Sequence, residues 1–338
     1  MYKYILKRLL MLIPVIIGVT FIIFVIMDLT PGDPARLVLG GMASNEAVEA
    51  YREELGLNQP LLIRYFNYMS GIVQGDFGTS YKTGRAVFVE LASRFPATLQ
   101  LAVAGMFVAI LISIPIGIIS AVKQYSLVDN IGMVLALLGI AMPPFWLGLM
   151  LILFFSLKLG WLPSSGFGSW ISLILPAITV GTACMANITR IMRSSMLEII
   201  RQDYIRTARA KGVGKTKVVV KHALKNALIP VITVAGLQFG TLLGGTVIVE
   251  NVFAWPGVGT FLISSISTKD TPAVLGAVVL FTVCFSIVNL LVDIIYGLDV
   301  YKRQVLYTEM NIYQTLCRIP IEKYFADADK EELMACFY

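Results

Sequence analysis

Only one histidine, His222, occurs among 338 residues, which argues against a histidine-based metal centre within this chain. The four cysteines, Cys184, Cys284, Cys317 and Cys336, stand far apart without metal-ligand spacing, and the first two fall inside apolar runs. They read as packing residues or free thiols, not as a disulfide framework. Charge is scarce: 14% of residues are charged and 57% hydrophobic, with mean hydropathy +0.79. No soluble domain of this length hides so much apolar surface in one core, so the chain is a polytopic membrane protein. Ionisable groups are nearly missing from the apolar runs, where Asp293, close to the end of the last, is the sole acidic candidate. That counts against a self-sufficient proton- or ion-coupled carrier. Ser113, Ser156 and Ser172 have no histidine or lysine at membrane depth to activate them, so no catalytic site is expected. Gly214-Lys215-Thr216 imitates the end of a P-loop, but Arg209 stands where the motif needs glycine and no strand precedes it. The chain is therefore expected to bind no cofactor and no metal; if ATP drives it, another chain binds the ATP.

What is present is a set of six apolar runs, at about 9–27, 97–122, 131–157, 171–191, 228–249 and 273–296, each long enough to cross roughly 30 Å of hydrocarbon. The first follows the basic MYKYILKRLL and leads into Asp28-Leu29-Thr30-Pro31-Gly32-Asp33-Pro34 instead of a cleavage site, so it reads as a retained span. Pro115, Pro143, Pro144 and Pro176 are expected to kink spans. Gly236, Gly240 and Gly244 form a small-residue stripe suited to helix packing. Trp161-Leu162-Pro163 and Trp255-Pro256-Gly257 fall in short outer links, where an indole suits the headgroup level. Thr182, Asn187, Gln238, Thr241 and Asn289 are candidates for a pathway lining, although buried hydrogen-bonding groups at helix interfaces fit them as well.

Residues 30–95 form the longest polar stretch and read as an extracytoplasmic loop region. Ser44 suits an N-cap, with Val48, Tyr51 and Leu55 on one face before Gly56. A second helix is expected after Pro60 with Leu62, Tyr65, Met69 and Ile72 inward, then turn chemistry over Gly75-Asp76-Phe77-Gly78-Thr79-Ser80. This cap packs on the membrane domain, or also touches a delivered substrate or its carrier.

Arg190, Arg193, Arg201, Arg206, Arg209, Lys211, Lys215, Lys217, Lys221 and Lys225 face only Glu198 and Asp203 over one stretch, which marks a cytoplasmic loop between spans and puts both termini in the cytoplasm. The net charge of +6 is thereby explained by membrane topology, and no nucleic-acid partner is expected. Read as a helix, Asp203 to Lys211 places Ile205, Ala208 and Gly212 along a narrow side, with Tyr204 nearby and a basic rim of Arg206 and Arg209. A groove on a partner protein and an anionic lipid surface both suit such a helix.

Tyr204 to Gly212, YIRTARAKG, and His222 to Val231, HALKNALIPV, resemble the EAA loop of binding-protein-dependent ABC importers in its dipeptide and oligopeptide permease variant. The resemblance extends to Pro31-Gly32-Asp33-Pro34, Leu55-Gly56-Leu57-Asn58-Gln59-Pro60, Gly75-Asp76-Phe77-Gly78, Pro96-Ala97-Thr98-Leu99, Pro163-Ser164-Ser165-Gly166 and the run from Glu250 to Gly259. Arg206-Thr207 replaces the Glu-Ala of the general pattern, and Lys225 stands where many importers have proline; both suit the peptide-permease branch. The resemblance implies an all-α, six-span type I importer permease in the plasma membrane of a bacterium or archaeon, with a transmembrane core over 96–297 and a coupling loop over 199–227. It implies a second homologous permease, two ABC ATPase subunits and an extracytoplasmic solute-binding protein as partners, besides membrane lipid. Tyr204, Ile205, Arg206, Thr207, Ala208, Arg209, Lys211 and Gly212 would form the ATPase-coupling helix. The cargo would be dipeptides or oligopeptides, with glutathione or nickel as alternatives within the family and an ATP-independent secondary carrier as the rival class. Residues 298–338 resemble nothing upstream; a short amphipathic helix is expected from about Ile321, with no function assigned.

Overall fold

Two consecutive prolines decide the most irregular part of the chain. Pro143 and Pro144 supply no backbone N–H, and proline disfavours helical geometry in the residue before it. The run expected as one span over 131–157 is accordingly two arms, α6 (Leu127–Ala141) and α7 (Pro144–Leu151), the latter continuing as a π-helix, Ile152–Lys158. The arms meet at 103°. This computed structural model describes the backbone of residues 2–317 and the side chains of 5–294. One unit, Met1–Val292, holds the architecture below; the described part of the other, residues 293–317, is helical. The helix expected from Ile321 lies outside the described residues.

Among the described residues, five helices are long and apolar enough to cross a membrane, and the bent pair, taken as one span, makes six. They are α1 (Tyr2–Leu29), α5 (Val87–Val122), α8 (Trp170–Ile200), the continuous run of α10 (Lys215–Lys217), a π-helical segment (Val218–Ala223) and α11 (Leu224–Val252), and α13 (Thr271–Cys317). No strand occurs among the described residues, only an isolated bridge between Thr79 and Ala86. Helix α8 is the centre, burying Leu175, Ile188, Met192 and Met196. It meets α5 at glycines: a Cβ on Gly105 would lie 2.6 Å from Val180 Cγ1, and one on Gly117 2.6 Å from Met192 Cβ. Between them Ser113 donates to Met185 O at 3.0 Å. With Ala109, these positions form a four-residue small-side-chain repeat that brings two backbones together. In the glycine stripe on α11, Gly236 meets Val292 and Gly240 meets Phe285, whereas Gly244 has open space.

The cap is built by caps in the chemical sense. Asp33 accepts from Ala35 N at 3.1 Å to start α2 (Pro34–Leu39), and Ser44 accepts from Ala47 N at 3.2 Å to start α3 (Asn45–Glu54). Gly56, at φ +65, follows its end as expected. Helix α4 (Leu61–Val73) lies on α1: Tyr65 is buried and donates to Ile17 O at 2.8 Å, with Phe21 and Phe24 edge-on to its ring. The expected inward face is corrected at one position, since Leu62 is exposed and Leu61 takes its place beside Tyr65 and Met69. The cap is bolted to the connector between α12 (Val258–Ser267) and α13, where Asp270 accepts from Ser80 Oγ and from Lys82 N.

Candidate coupling surface and transport face

The basic loop folds as expected into a short helix, α9 (Asp203–Ala210). Asp203 stands at its positive end and Arg209 at its negative end, both favourable against the helix dipole. Its termination explains the glycine. Gly212 N donates to Arg209 O at 3.0 Å and Val213 N to Ala208 O at 3.2 Å, the paired bonds of a Schellman ending, which needs φ +77 at Gly212. A Cβ there would touch nothing within 4 Å, so conformation and not space selects glycine.

Seven of the eight coupling candidates, Tyr204, Arg206, Thr207, Ala208, Arg209, Lys211 and Gly212, are exposed or half-buried. Ile205 is not. It is fully buried in the cluster that holds Val218 and Ala223, so it anchors α9 to the start of the long α10–α11 helix instead of offering itself to a partner. Tyr204 adds a second tie, its hydroxyl accepting from Asn226 Nδ2 at 2.8 Å. Arg206 reaches Asp203 at 3.4 Å and Thr207 donates to Asp203 O, bonds internal to α9. Only Arg201 and Gln202 separate α9 from α8, so α9 is joined closely to two long helices.

The five pathway candidates do not converge. Thr182 donates to Thr179 O at 2.9 Å and packs against Gly139 of α6, a helix–helix contact. Asn187 accepts from Arg190 at 2.8 Å, and Asn289 lines an apolar groove with Leu12 and Phe285. Gln238 and Thr241 adjoin each other, Thr241 donating to Gln238 O at 2.7 Å. Thr241 lies on an open strip of α11: Leu237, Thr241, Gly244, Gly245, Ile248 and Asn251 recur at helical spacing and are all exposed.

Sequence reasoning missed the buried charges. Helix α8 extends to Ile200, so Arg193 belongs to it and not to the loop; it grips Asp129 of α6 through two bonds of 2.7 and 2.6 Å. Asp129 is buried and also accepts from Tyr125 N at 2.9 Å. Glu250 falls inside α11, beyond the expected end at 249, and is fully buried. Its Oε2 accepts from Gly259 N at 2.7 Å and Thr260 N at 3.2 Å, so one carboxylate satisfies two orphan donors at the start of α12. Thr98 takes a third, Val258 N, at 2.9 Å. Glycine at 257 leaves room for the carboxylate, since a Cβ there would collide with it. Oε1 has no hydrogen-bond partner among the described residues. Trp255, expected at an interface, is buried instead: its Nε1 donates to Ala97 O at 2.9 Å and its ring packs edge-on to Phe167. Trp161 is exposed. The run from Glu250 to Gly259 is thus a knot that ties α5, α11 and α12.

Residues 1–102 match the family described as binding-protein-dependent transport system membrane component, N-terminal, and residues 113–299 match the binding-protein-dependent transport system inner membrane component. The chain belongs to this family. The permease is 47% identical over 297 residues to the glutathione transport system permease protein GsiC of Salmonella choleraesuis (strain SC-B67), spanning 88% of this chain and 97% of that one. GsiC of Escherichia coli (strain K12) is 46% identical over the same shares. Among solved structures, a chain of the MetNI methionine ABC transporter in inward-facing conformation matches with TM-score 0.48 at 21% identity, covering 62% of this permease and 97% of that chain. The permease is therefore the multi-pass inner-membrane component of an ABC importer, and membership of the family implies ATPase and solute-binding partners.

Proposed function

We propose that this permease forms half of the translocation pathway of an ATP-driven importer of short peptides, with glutathione, itself a tripeptide, as the first cargo to test. The observation that carries this reading is the 47% identity to a glutathione transport permease across 88% of the chain. A second, similar permease completes the pathway, two separate ATPase subunits drive it, and an extracytoplasmic binding protein delivers the cargo. Both termini and the basic loop lie in the cytoplasm, by the excess of Lys and Arg in that loop. Helix α9 then seats in a cleft of the ATPase, presenting Tyr204, Arg206, Thr207, Ala208, Arg209, Lys211 and Gly212. ATP binding closes the ATPase pair and moves the two coupling helices. The Ile205 anchor and the Tyr204–Asn226 bond support a rigid transfer of that motion into α11. The open α11 strip around Thr241, with half-buried Gln238 at its edge, faces the pathway and the second permease, a role its exposure and small residues support.

The test is reconstitution. The permease is co-expressed with its neighbouring genes, placed in proteoliposomes with binding protein, and assayed for ATP-dependent uptake of reduced glutathione, dialanine and nickel. Glutathione or dialanine uptake is the expected result. Nickel uptake alone would overturn the peptide cargo, and uptake by the lone chain without ATP would replace the importer with a secondary carrier.

A further inference from the structure

Where the link after α1, the helices α3 and α4, and the α12–α13 connector converge, a cavity of about 340 Å³ opens. That is within the size range of small-molecule sites, roughly 300–1,000 Å³. Its polar lining is mostly charged: Arg52, Arg64 and Lys269 face Asp28 and Asp33, and Glu49 just outside it stands 3.5 Å from Arg52, so cations and carboxylates balance. Lys269 is only 6% exposed and held in the left-handed region at φ +53. Its Nζ donates to the carbonyls of Thr30 and Gly32, which neutralise no charge and leave one of its three N–H donors available. The Nε atom of Arg52 is buried without a hydrogen-bond partner, with Asp33 Oδ1 3.7 Å away, while the side chain as a whole is 41% exposed and its Nη1 lies 3.5 Å from Glu49 Oε2. Asp28 is bound to Arg64 at 2.7 Å through Oδ1. The buried ammonium ion of Lys269 has only neutral carbonyls, and the Arg52 guanidinium has carboxylates no nearer than 3.5 Å, so a carboxylate entering the cavity would complete donors that are otherwise poorly matched.

We infer that this cavity is a binding site for the free carboxylate of a peptide-type zwitterion, held by Lys269 and Arg52, with the solute's ammonium group directed to Asp28. The inference rests on the import reading above for the side of the membrane it faces and for the kind of solute that reaches it. It adds a reception point on the permease itself, distinct from the α11 strip. A mixed-charge cavity suits a zwitterion better than a simple anion, because both ends of the solute find a counter-charge.

The experiment is calorimetric titration of reduced glutathione and of dialanine into the complete complex in nanodiscs, without binding protein. Wild type is expected to bind, and glutathione diethyl ester, which lacks free carboxylates, is expected not to. Arg52→Gln should weaken binding about tenfold, the scale of one lost charge-assisted hydrogen bond, with Arg52→Lys restoring part of it. Lys269→Met is the less informative variant, since Lys269 also ties down the 30–32 link. Absence of binding to wild type, or binding unchanged in Arg52→Gln, would overturn the assignment. So would an Arg52→Gln complex that binds solute normally but captures the binding protein weakly, for the site would then take a protein carboxylate. Uptake of glutathione without binding here would refute the cavity alone; no ATP-dependent peptide uptake would refute the import reading.

Discussion

Replacing Glu250 with alanine strands two buried backbone donors at once. Gly259 N and Thr260 N lose the only carboxylate at the start of α12, and a buried unsatisfied donor costs about 1–3 kcal/mol. Loss of a favourable anion at the helix N-terminus adds up to about 2 kcal/mol in a buried setting. A total near 4 kcal/mol is expected for Glu250→Ala, whereas Glu250→Gln keeps an acceptor oxygen and should lose only about 1 kcal/mol. The geometry permits a sharper test. A Cβ on Gly257 would meet Glu250 atoms alone as its nearest neighbours, so Gly257→Ala should cost about 2 kcal/mol by overpacking in wild type and almost nothing when Glu250 is already alanine. Gly259→Ala is the control: its Cβ would lie 2.5 Å from Val247 Cα, a backbone atom that no side-chain truncation moves, so it should stay destabilising in both backgrounds. Graded denaturation of the purified complex in mixed micelles, for the four members of the Glu250/Gly257 cycle and for Gly259→Ala in each background, supplies the comparison. Equal destabilisation by Gly257→Ala in both backgrounds, or a Glu250→Ala protein as stable as wild type, would refute the knot.

Gly212→Ala should cost about 1 kcal/mol because φ +77 is strained for a residue with a Cβ, while uptake survives; Gly212→Glu should fold similarly but hydrolyse ATP without transport, and normal uptake by that variant would remove α9 as the coupling element. Truncating Asp129 to alanine leaves Arg193 facing a buried site without its carboxylate and should destabilise by about 3–5 kcal/mol, with the double variant Asp129→Ala, Arg193→Ala milder than the single, as thermal unfolding midpoints would report. Burial pushes the Tyr81 phenol up to about 12, against an opposing effect of Arg64, and pushes Tyr68 up as well. The folded cap therefore holds protons that the unfolded chain has begun to lose, and its stability should be full below about pH 10 and decline as pH rises towards 12. Limited proteolysis of the 30–95 segment across that range checks the sign, and greater resistance at pH 11 than at pH 9 would contradict it.

Helix positions were legible wherever a local rule governs them. Ser44 and Gly56 bracket α3 because an N-cap hydroxyl and a left-handed glycine act within one turn, and α9 was readable from its own charges and spacing. Pairings between distant elements were not legible. Glu250 and Thr98 serve α12 from other helices, and Trp255 reaches Ala97 from 158 residues away, so the motif's letters were visible while its three-way knot was not. The stripe of Gly236, Gly240 and Gly244 drew attention because glycine is conspicuous. The tighter helix pair uses Gly105, Ala109, Ser113 and Gly117, whose mixed identities disguise an equally regular spacing. Ile205 shows the limit in the site itself: an apolar residue on a basic helix fits a partner groove or the chain's own core equally well until the neighbouring helix is placed.

The bend between α6 and α7 has a consequence for what surrounds the permease. Each arm, 15 residues on the α6 side, is about 22 Å long at 1.5 Å per residue, too short to clear roughly 30 Å of hydrocarbon alone. Because positions 143 and 144 are prolines, the carbonyls of Gly139 and Ile140 have no N–H four residues on to receive. Acyl chains cannot hydrogen-bond them, and each such group left bare in lipid costs several kcal/mol. Ala141 and Pro143 are exposed on this chain. Gly139 is buried against Thr182 and Met185 of α8, so the chain itself shields part of the elbow, and it is the carbonyl of the exposed Ile140 that would call for water or a neighbouring subunit wherever the elbow lies at hydrocarbon depth.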